Sequence, residues 1–399
     1  MATQYLQQHS SPGKEHLLGI AILVAFLVPH SNTLFQLMNP VMCLLLVYSF
    51  YNSRRWNPYV LMAVIPVFLS LLINVNVATQ KAYLSAFTIL LYFFCFPFVG
   101  KVRVRNIYLY ICLGYIVVSQ LVYLLDIPFL TNFFDRVYPI SEDDLRYFQH
   151  MQSTITYEAI FNYRLGGMYH NANQCARYIC MLLALFLVIN QNKKNRGVLV
   201  FSGIAYASIL LTGSRTGFVV ASLILYFGLL LQKAYKGTVK FAFIAMAVVG
   251  LGYIIGSGTA LRGFDVQSGM NNSASVKWDV FMSYLTNERS IISLVLGHFD
   301  SSLFEGWNGG FVGYFDSEYG DLVFRFGFIG FLSIIIFWWM TFKRIEKSCR
   351  FYFLILFWCI SSSIVASFRA LFIFLLFLSV IYSNYNVNEN HKTLRNPVR

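Results

Sequence analysis

The chain has 399 residues, of which 57% are hydrophobic and only 12% charged, and its formal net charge is +13. A water-soluble protein of this length cannot hide that much apolar surface, so the composition predicts a bilayer as the solvent. The positive charge is distributed as a membrane-orientation signal, which argues against nucleic acid as a partner.

Apolar runs of about 17–25 residues match a hydrocarbon core of about 30 Å. Twelve such spans are expected, near 17–29, 34–50, 59–77, 83–99, 107–125, 170–189, 198–212, 216–231, 241–256, 322–341, 351–367 and 370–383. Their hydropathy is continuous, without the alternation of a barrel strand, so the expected fold class is an all-α polytopic membrane protein. The first run lacks a small-residue cleavage site and continues into "PHSN", which reads as a retained span rather than a cleaved signal peptide.

Between the spans, Lys and Arg cluster in alternate loops: "SRR" at 53–55, "KVRVR" at 101–105, "KKNR" at 193–196, "KAYKGTVK" at 233–240 and "KRIEKSCR" at 343–350. Lys14, Lys392, Arg395 and Arg399 fall on the same side, where only Glu15, Glu346 and Glu389 are acidic. The positive-inside rule makes this face cytoplasmic, with both termini on it. Two long segments then lie outside. The expected organisation is spans one to five over 1–125, a first long outer loop over 126–169, spans six to nine over 170–256, a second long outer loop over 257–321, and spans ten to twelve with a cytoplasmic tail over 322–399.

The cysteines (Cys43, Cys95, Cys112, Cys175, Cys180, Cys349 and Cys359) sit in or beside apolar spans and none lies in a long loop. A disulfide-stapled outer domain is therefore excluded, and they read as small core residues. The histidines are scattered without ligand spacing, so no metal site is expected. The absence of a nucleotide-binding glycine loop argues against an ATP-driven pump.

With this topology the costly charges gather at the outer ends of the spans. Arg164 precedes span six in "YRLGGMYHNANQCARY", and Arg177 lies two turns into that span, on the face of Asn173. Arg177 either belongs to a site or snorkels to the interface, and His170 either caps the helix or faces a ligand. Asp321 and Arg325 have the i, i+4 spacing of a structural pair, and Arg369 reads as an anchor near a helix end. Asp316, Glu318 and Asp321 crowd the mouth of span ten. Arg215 is the least easily explained as structure. Its "TGSRTG" turn puts a cation beside the open amides of a helix start, with Ser214 and two glycines allowing close approach. That combination suits an anion, and a diphosphate matches the fork of the guanidinium.

In order, "RLGGMYHNAN", "LTGSRTG" and, after a long outer loop, "DSEYGDLVFRFGFIG" resemble the O-antigen polymerase and O-antigen ligase superfamily over residues 160–340. Two positions depart from its pattern. Ala172 stands where the family usually has Pro between its asparagines, and Asp316 stands where ligases often have His, which favours a polymerase. The resemblance implies a glycosyltransferase of the C type (GT-C) with two long periplasmic loops in a bacterial inner membrane, needing neither metal nor cofactor. Its substrate would be an undecaprenyl-diphosphate-linked oligosaccharide, and its other partners membrane lipids and a chain-length regulator protein. On this reading Arg215, Arg164, Ser214 and Arg177 bind diphosphate. Asp316 or Glu318 takes the proton of the acceptor hydroxyl, and His170, Asn171, Asn173 and Tyr319 contact substrate. Polymerisation of repeat units is the leading expectation. The alternatives are ligation of finished glycan to a lipid A core and transport of lipid-linked oligosaccharide; a transporter would carry its ionisable residues nearer mid-bilayer.

Overall fold

Several of these apolar runs form helices. A computed structural model describes residues 12–28, 60–74, 104–139, 165–190, 196–230, 281–282, 284–286, 290–298 and 318–344, together with 237, 244–245, 248, 372–373 and 376–377. The spans expected at 34–50, 83–99 and 351–367 lie outside the described residues, as do most of those at 241–256 and 370–383. Among the described residues 88% are helical and none is in a strand. In chain order the helices are α1 (Pro12–Leu27), α2 (Val60–Ile73), α3 (Asn106–Leu124), α4 (Pro128–Val137), α5 (Ala172–Ile189), α6 (Arg196–Leu211), α7 (Arg215–Leu225), α8 (Ile291–Leu296) and α9 (Glu318–Arg344). Of these, α3 and α5 are long and apolar enough to cross a membrane, by length and composition. The chain divides into two compact units, one of residues 1–55, 98–212 and 372–399, the other of 56–97 and 213–371.

The first unit is built around α5, whose residues Cys175–Val188 are buried apart from the half-buried Arg177. Helix α1 turns one stripe inward, Leu18, Ala21, Ile22, Ala25 and Phe26, with the i, i+3, i+4 spacing of a single helical face. Polar pairs fix the directions. Asn106 at the start of α3 and Asn190 just past α5 exchange side-chain hydrogen bonds of 2.9 and 3.1 Å, while Gln120 near the end of α3 reaches Cys175 near the start of α5. The two helices are therefore antiparallel. Tyr110 of α3 meets Phe201 and the Gly197 carbonyl near the start of α6, and Gln120 meets Ser208 near its end, so α6 runs with α3. His16 of α1 bonds Tyr108, and Phe26 at the other end receives the Tyr169 hydroxyl, so α1 runs with α3 as well. The Phe186 and Phe201 rings stack at 3.8 Å where α5 crosses α6.

In the second unit α9 packs on α2 and α8. Helix α9 is kinked at Gly327, whose φ of 64° with ψ of −177° interrupts the helical ladder. A kink frees carbonyls one turn earlier, and these find new donors. Phe324 O accepts from His298 N at 2.9 Å, and Arg325 O accepts from Ser70 Oγ at 2.7 Å. A Cβ on Gly327 would run into the backbone of Val295, so only glycine permits this closeness. Asn74 Nδ2 donates to the Gly297 carbonyl at 3.1 Å, tying the end of α2 to the end of α8. Tyr284, Val323 and Phe324 form a buried cluster here, with Phe281, Leu285, Leu294 and Phe331 around it.

Two departures from the sequence reading stand out. The segment 126–169, expected as loop, carries the ten-residue helix α4. The helix expected from 322 begins at Glu318, so the last acidic residues of the second long segment belong to a helical turn.

Candidate functional site

The approach to α5 is held from several sides. Leu165 donates its N–H to the Leu211 carbonyl at the end of α6 (3.1 Å), and its own carbonyl accepts from Gln120 Nε2 (3.1 Å). The second Nε2 proton serves the Ser208 carbonyl at 3.1 Å, and Gln120 Oε1 accepts from the Ser208 hydroxyl. Every polar valence of this fully buried amide is thus used to join α3, α6 and the approach to α5. Next to it, Ser119 Oγ accepts from Met168 N at 3.1 Å. The chain can pass this close only with glycines. Gly167 has φ +56°, and a Cβ there would fall 2.5 Å from Ser119 Oγ. The glycine pair of "RLGG" is a packing requirement of the turn.

A 3-10 turn, Gly167–Tyr169, then delivers His170 and Asn171. His170 has φ 53° and ψ −43°, an uncommon conformation for a residue with a Cβ. It is held by its N–H to Gly167 O (3.0 Å) and by its ring. Because the Tyr138 carbonyl can only accept, Nε2 is the donor in this bond. The Tyr123 ring meets His170 edge-on at 6.0 Å, and the Tyr123 hydroxyl donates to Asp135 of α4 at 2.6 Å. The cap of α5 is Asn171, whose Oδ1 accepts from Asn173 N (2.9 Å) and Gln174 N (3.3 Å).

Arg177 lies one turn beyond Asn173 on the same face. Its guanidinium carbon is 5.3 Å from the centre of the Tyr178 ring, which stacks on Tyr169 at 4.8 Å. Its Nε–H is buried with no acceptor among the described residues. A buried arginine donor left unmet is costly, and an anion would meet it.

In the second unit, Ser214 caps α7, its Oγ accepting from Gly217 N at 3.3 Å and its carbonyl from Phe218 N at 2.9 Å. Gly213 precedes it with φ 59°. Arg215 is the first helical residue of α7, directly after the Ser214 cap. Glu318 and Tyr319 open α9, where the half-buried Tyr319 meets Phe331 edge-on at 6.2 Å. Arg215, Glu318 and Asp321 are described in backbone alone, and Arg164, Asp316 and Arg369 lie outside the described residues.

The structure therefore gathers His170, Asn171, Asn173 and Arg177 in the first unit, and holds Ser214 with Arg215, and Glu318 with Tyr319, at two helix starts of the second. Sequence reasoning missed Ser119, Gln120, Tyr123, Asp135 and Tyr138. The first two were detectable as adjacent polar residues inside an apolar run, "VVSQLV". Cys112, Cys175 and Cys180 are buried free thiols. No protein-family model, curated protein or solved structure matches the chain.

Proposed function

We propose that the chain is a polytopic, twelve-span glycosyltransferase of the C type that polymerises lipid-linked oligosaccharide repeat units, for an O-antigen or related surface polysaccharide, at the periplasmic face of a bacterial inner membrane. An acceptor hydroxyl of the next lipid-linked unit attacks the anomeric carbon that joins the growing glycan to its carrier. The bond from that carbon to the diphosphate oxygen breaks, and undecaprenyl diphosphate leaves with the electron pair. Asp316 or Glu318 takes the hydroxyl proton. Arg164, Arg177 and Arg215, with Ser214 and the positive end of α7, supply the counter-charge for the leaving group without a metal. His170 acts through its Nδ1 side, Asn171 through its NH2, and Asn173 and Tyr319 complete the sugar contacts.

What carries the reading is the buried, unmet Nε–H of Arg177 at the polar end of the first unit. The opposite end of that unit carries the exposed Arg105 and Arg196. Helix directions support spans that alternate: α1, α3 and α6 run together and α5 returns, while α2 and α9 are antiparallel, Ser70 meeting Arg325 and Pro66 lying beside Gly330. Large apolar side chains such as Ile107, Ile111, Val118 and Leu121 stand exposed along α3, a surface that water would penalise and lipid would accept.

The test is the surface-glycan ladder of a strain lacking the gene. A polymerase defect leaves single repeat units attached to the core. Complete loss of attached glycan with periplasmic lipid-linked polymer would show a ligase, and lipid-linked units confined to the cytoplasmic leaflet would show a transporter.

A further inference from the structure

Helix α4 packs back over the C-terminal turns of α3. Three residues separate the end of α3 from Pro128, which opens α4 at its first position, where a missing N–H costs nothing. Its position is fixed by contacts with α1 and α3. Phe134 is buried between the Tyr115 and Tyr123 rings and stacks on Tyr138. The Tyr138 hydroxyl donates to the Leu27 carbonyl, and Tyr123 holds Asp135. With the helix so pinned, Phe129, Phe133 and Val137, at i, i+4 and i+8, form one outward stripe, Phe129 being 81% and Phe133 50% exposed. Asn132, Asp135 and Arg136, also exposed, form the polar sector beside this stripe, with Arg136 bordering Phe129 at i+7.

We infer that α4 is an interfacial helix whose Phe129–Phe133–Val137 stripe is seated in the headgroup–acyl boundary of the bilayer, on the side where α3 leaves it. This rests on the membrane part of the proposed function and not on its chemistry. The argument for lipid as the occupant is continuity. The stripe extends the exposed apolar surface of the last turns of α3 and of the connecting turn, Leu121, Leu124, Leu125 and Ile127, without a polar break other than Asp126. Moving apolar surface out of water is favourable in proportion to its area, so two phenylalanines on one stripe make an anchor. Segregated apolar and charged faces are the pattern of helices that lie in the membrane surface. The consequence reaches the candidate site. Tyr123 and His170 are braced against α4 through Asp135 and Tyr138, so the seated helix holds them at headgroup height, where the diphosphate of a lipid-linked glycan would lie.

The experiment uses the full chain in nanodiscs of dioleoyl phosphatidylethanolamine and phosphatidylglycerol. The photoreactive residue p-benzoylphenylalanine is substituted in turn at Phe129, Phe133, Asn132 and, on the exposed side of α3, Val118. Lipid adducts are counted by mass spectrometry after irradiation. The expected result is adduct yields at positions 129 and 133 like that at 118 and severalfold above that at 132. Adducts at 118 but none at 129 and 133, or crosslinks there to another protein, would overturn the inference and leave the membrane reading standing. Absence of adducts at 118 as well would overturn the membrane reading and the inference with it.

Discussion

The starts of α5 and α7 use the same device in opposite ways. Both open with a side-chain cap, Asn171 in one and Ser214 in the other, and both carry an arginine in the first two turns. The approach to α5 is held by groups from α1, α3, α4 and α6: Phe26, Ser119, Gln120, Tyr138 and Leu211. The approach to α7 is shaped by local bonds, Ser214 to Gly217 and to Phe218, after a left-handed Gly213. Bonds from distant helices fix the geometry of the first start. On the proposed function that start is framework and the second binds ligand, with Arg177 as the exception inside the framework.

The largest effect is expected where the local start meets its ligand. Arg215→Ala should lower polymer formation about 100-fold, equivalent to about 2.7 kcal/mol of lost transition-state stabilisation, at an unchanged membrane level of protein. Arg215→Lys keeps the charge but loses the bidentate fork, and its loss should be only partly smaller. Elongation rates with purified protein and lipid-linked substrate check both. Near-normal rates in Arg215→Ala would remove the ligand-binding half of the comparison. The same assay in excess EDTA should run at the untreated rate.

Gln120 tests the framework half. Gln120→Leu leaves the Leu165 carbonyl and both Ser208 groups without their partner in a buried place. Interhelical hydrogen bonds in membranes contribute about 1–2 kcal/mol each by the larger estimates, so the thermal midpoint in detergent should fall clearly. Activity per folded molecule should fall less than the midpoint suggests. A variant with a normal midpoint but no activity would move Gln120 out of the framework and into the chemistry.

Arg177 sharpens the exception. Arg177→Met removes a half-buried guanidinium whose buried Nε–H meets no described acceptor and replaces it with an apolar chain. The thermal midpoint should therefore hold or rise, while donor binding weakens about 10-fold, or about 1.4 kcal/mol. A lowered midpoint with unchanged donor affinity would make Arg177 structural.

How much of this was legible in the sequence follows from how far apart the partners are. The glycines of "RLGG" and of "RFGFIG" stood out as motifs, but their reasons did not. Gly167 answers to Ser119, and the kink at Gly327 is resolved by Ser70 and His298, all distant in sequence. The helical periods of α3, α5 and α6 were readable because lipid-length apolar runs announce themselves locally. Helix α4 was readable in principle, from a proline at its first position and aromatics at i, i+4. Its ten residues fell below the length of a span and merged into an apparent loop. Arg215 could be given a role because its turn is local; Gln120 stood out only as a polar residue in an apolar run, and its role lies with partners distant in sequence.

The smallest effects concern the two caps, and they separate capping from substrate contact. Asn171 Oδ1 accepts from the amides of Asn173 and Gln174, and Ser214 Oγ accepts from that of Gly217. Replacing a cap with alanine costs about 1 kcal/mol, so Asn171→Ala should lower the thermal midpoint more than Ser214→Ala. Asn171→Asp keeps the capping oxygen and adds charge that the helix dipole favours, so it should preserve or raise the midpoint. It loses the NH2, however, and places a carboxylate where the donor diphosphate is proposed to approach. Donor affinity should therefore drop in Asn171→Asp although the protein is stable, while Ser214→Ala should weaken donor binding with only a slight change in stability. Full donor affinity in Asn171→Asp would confine Asn171 to the cap, and the start of α5 would then be framework apart from Arg177.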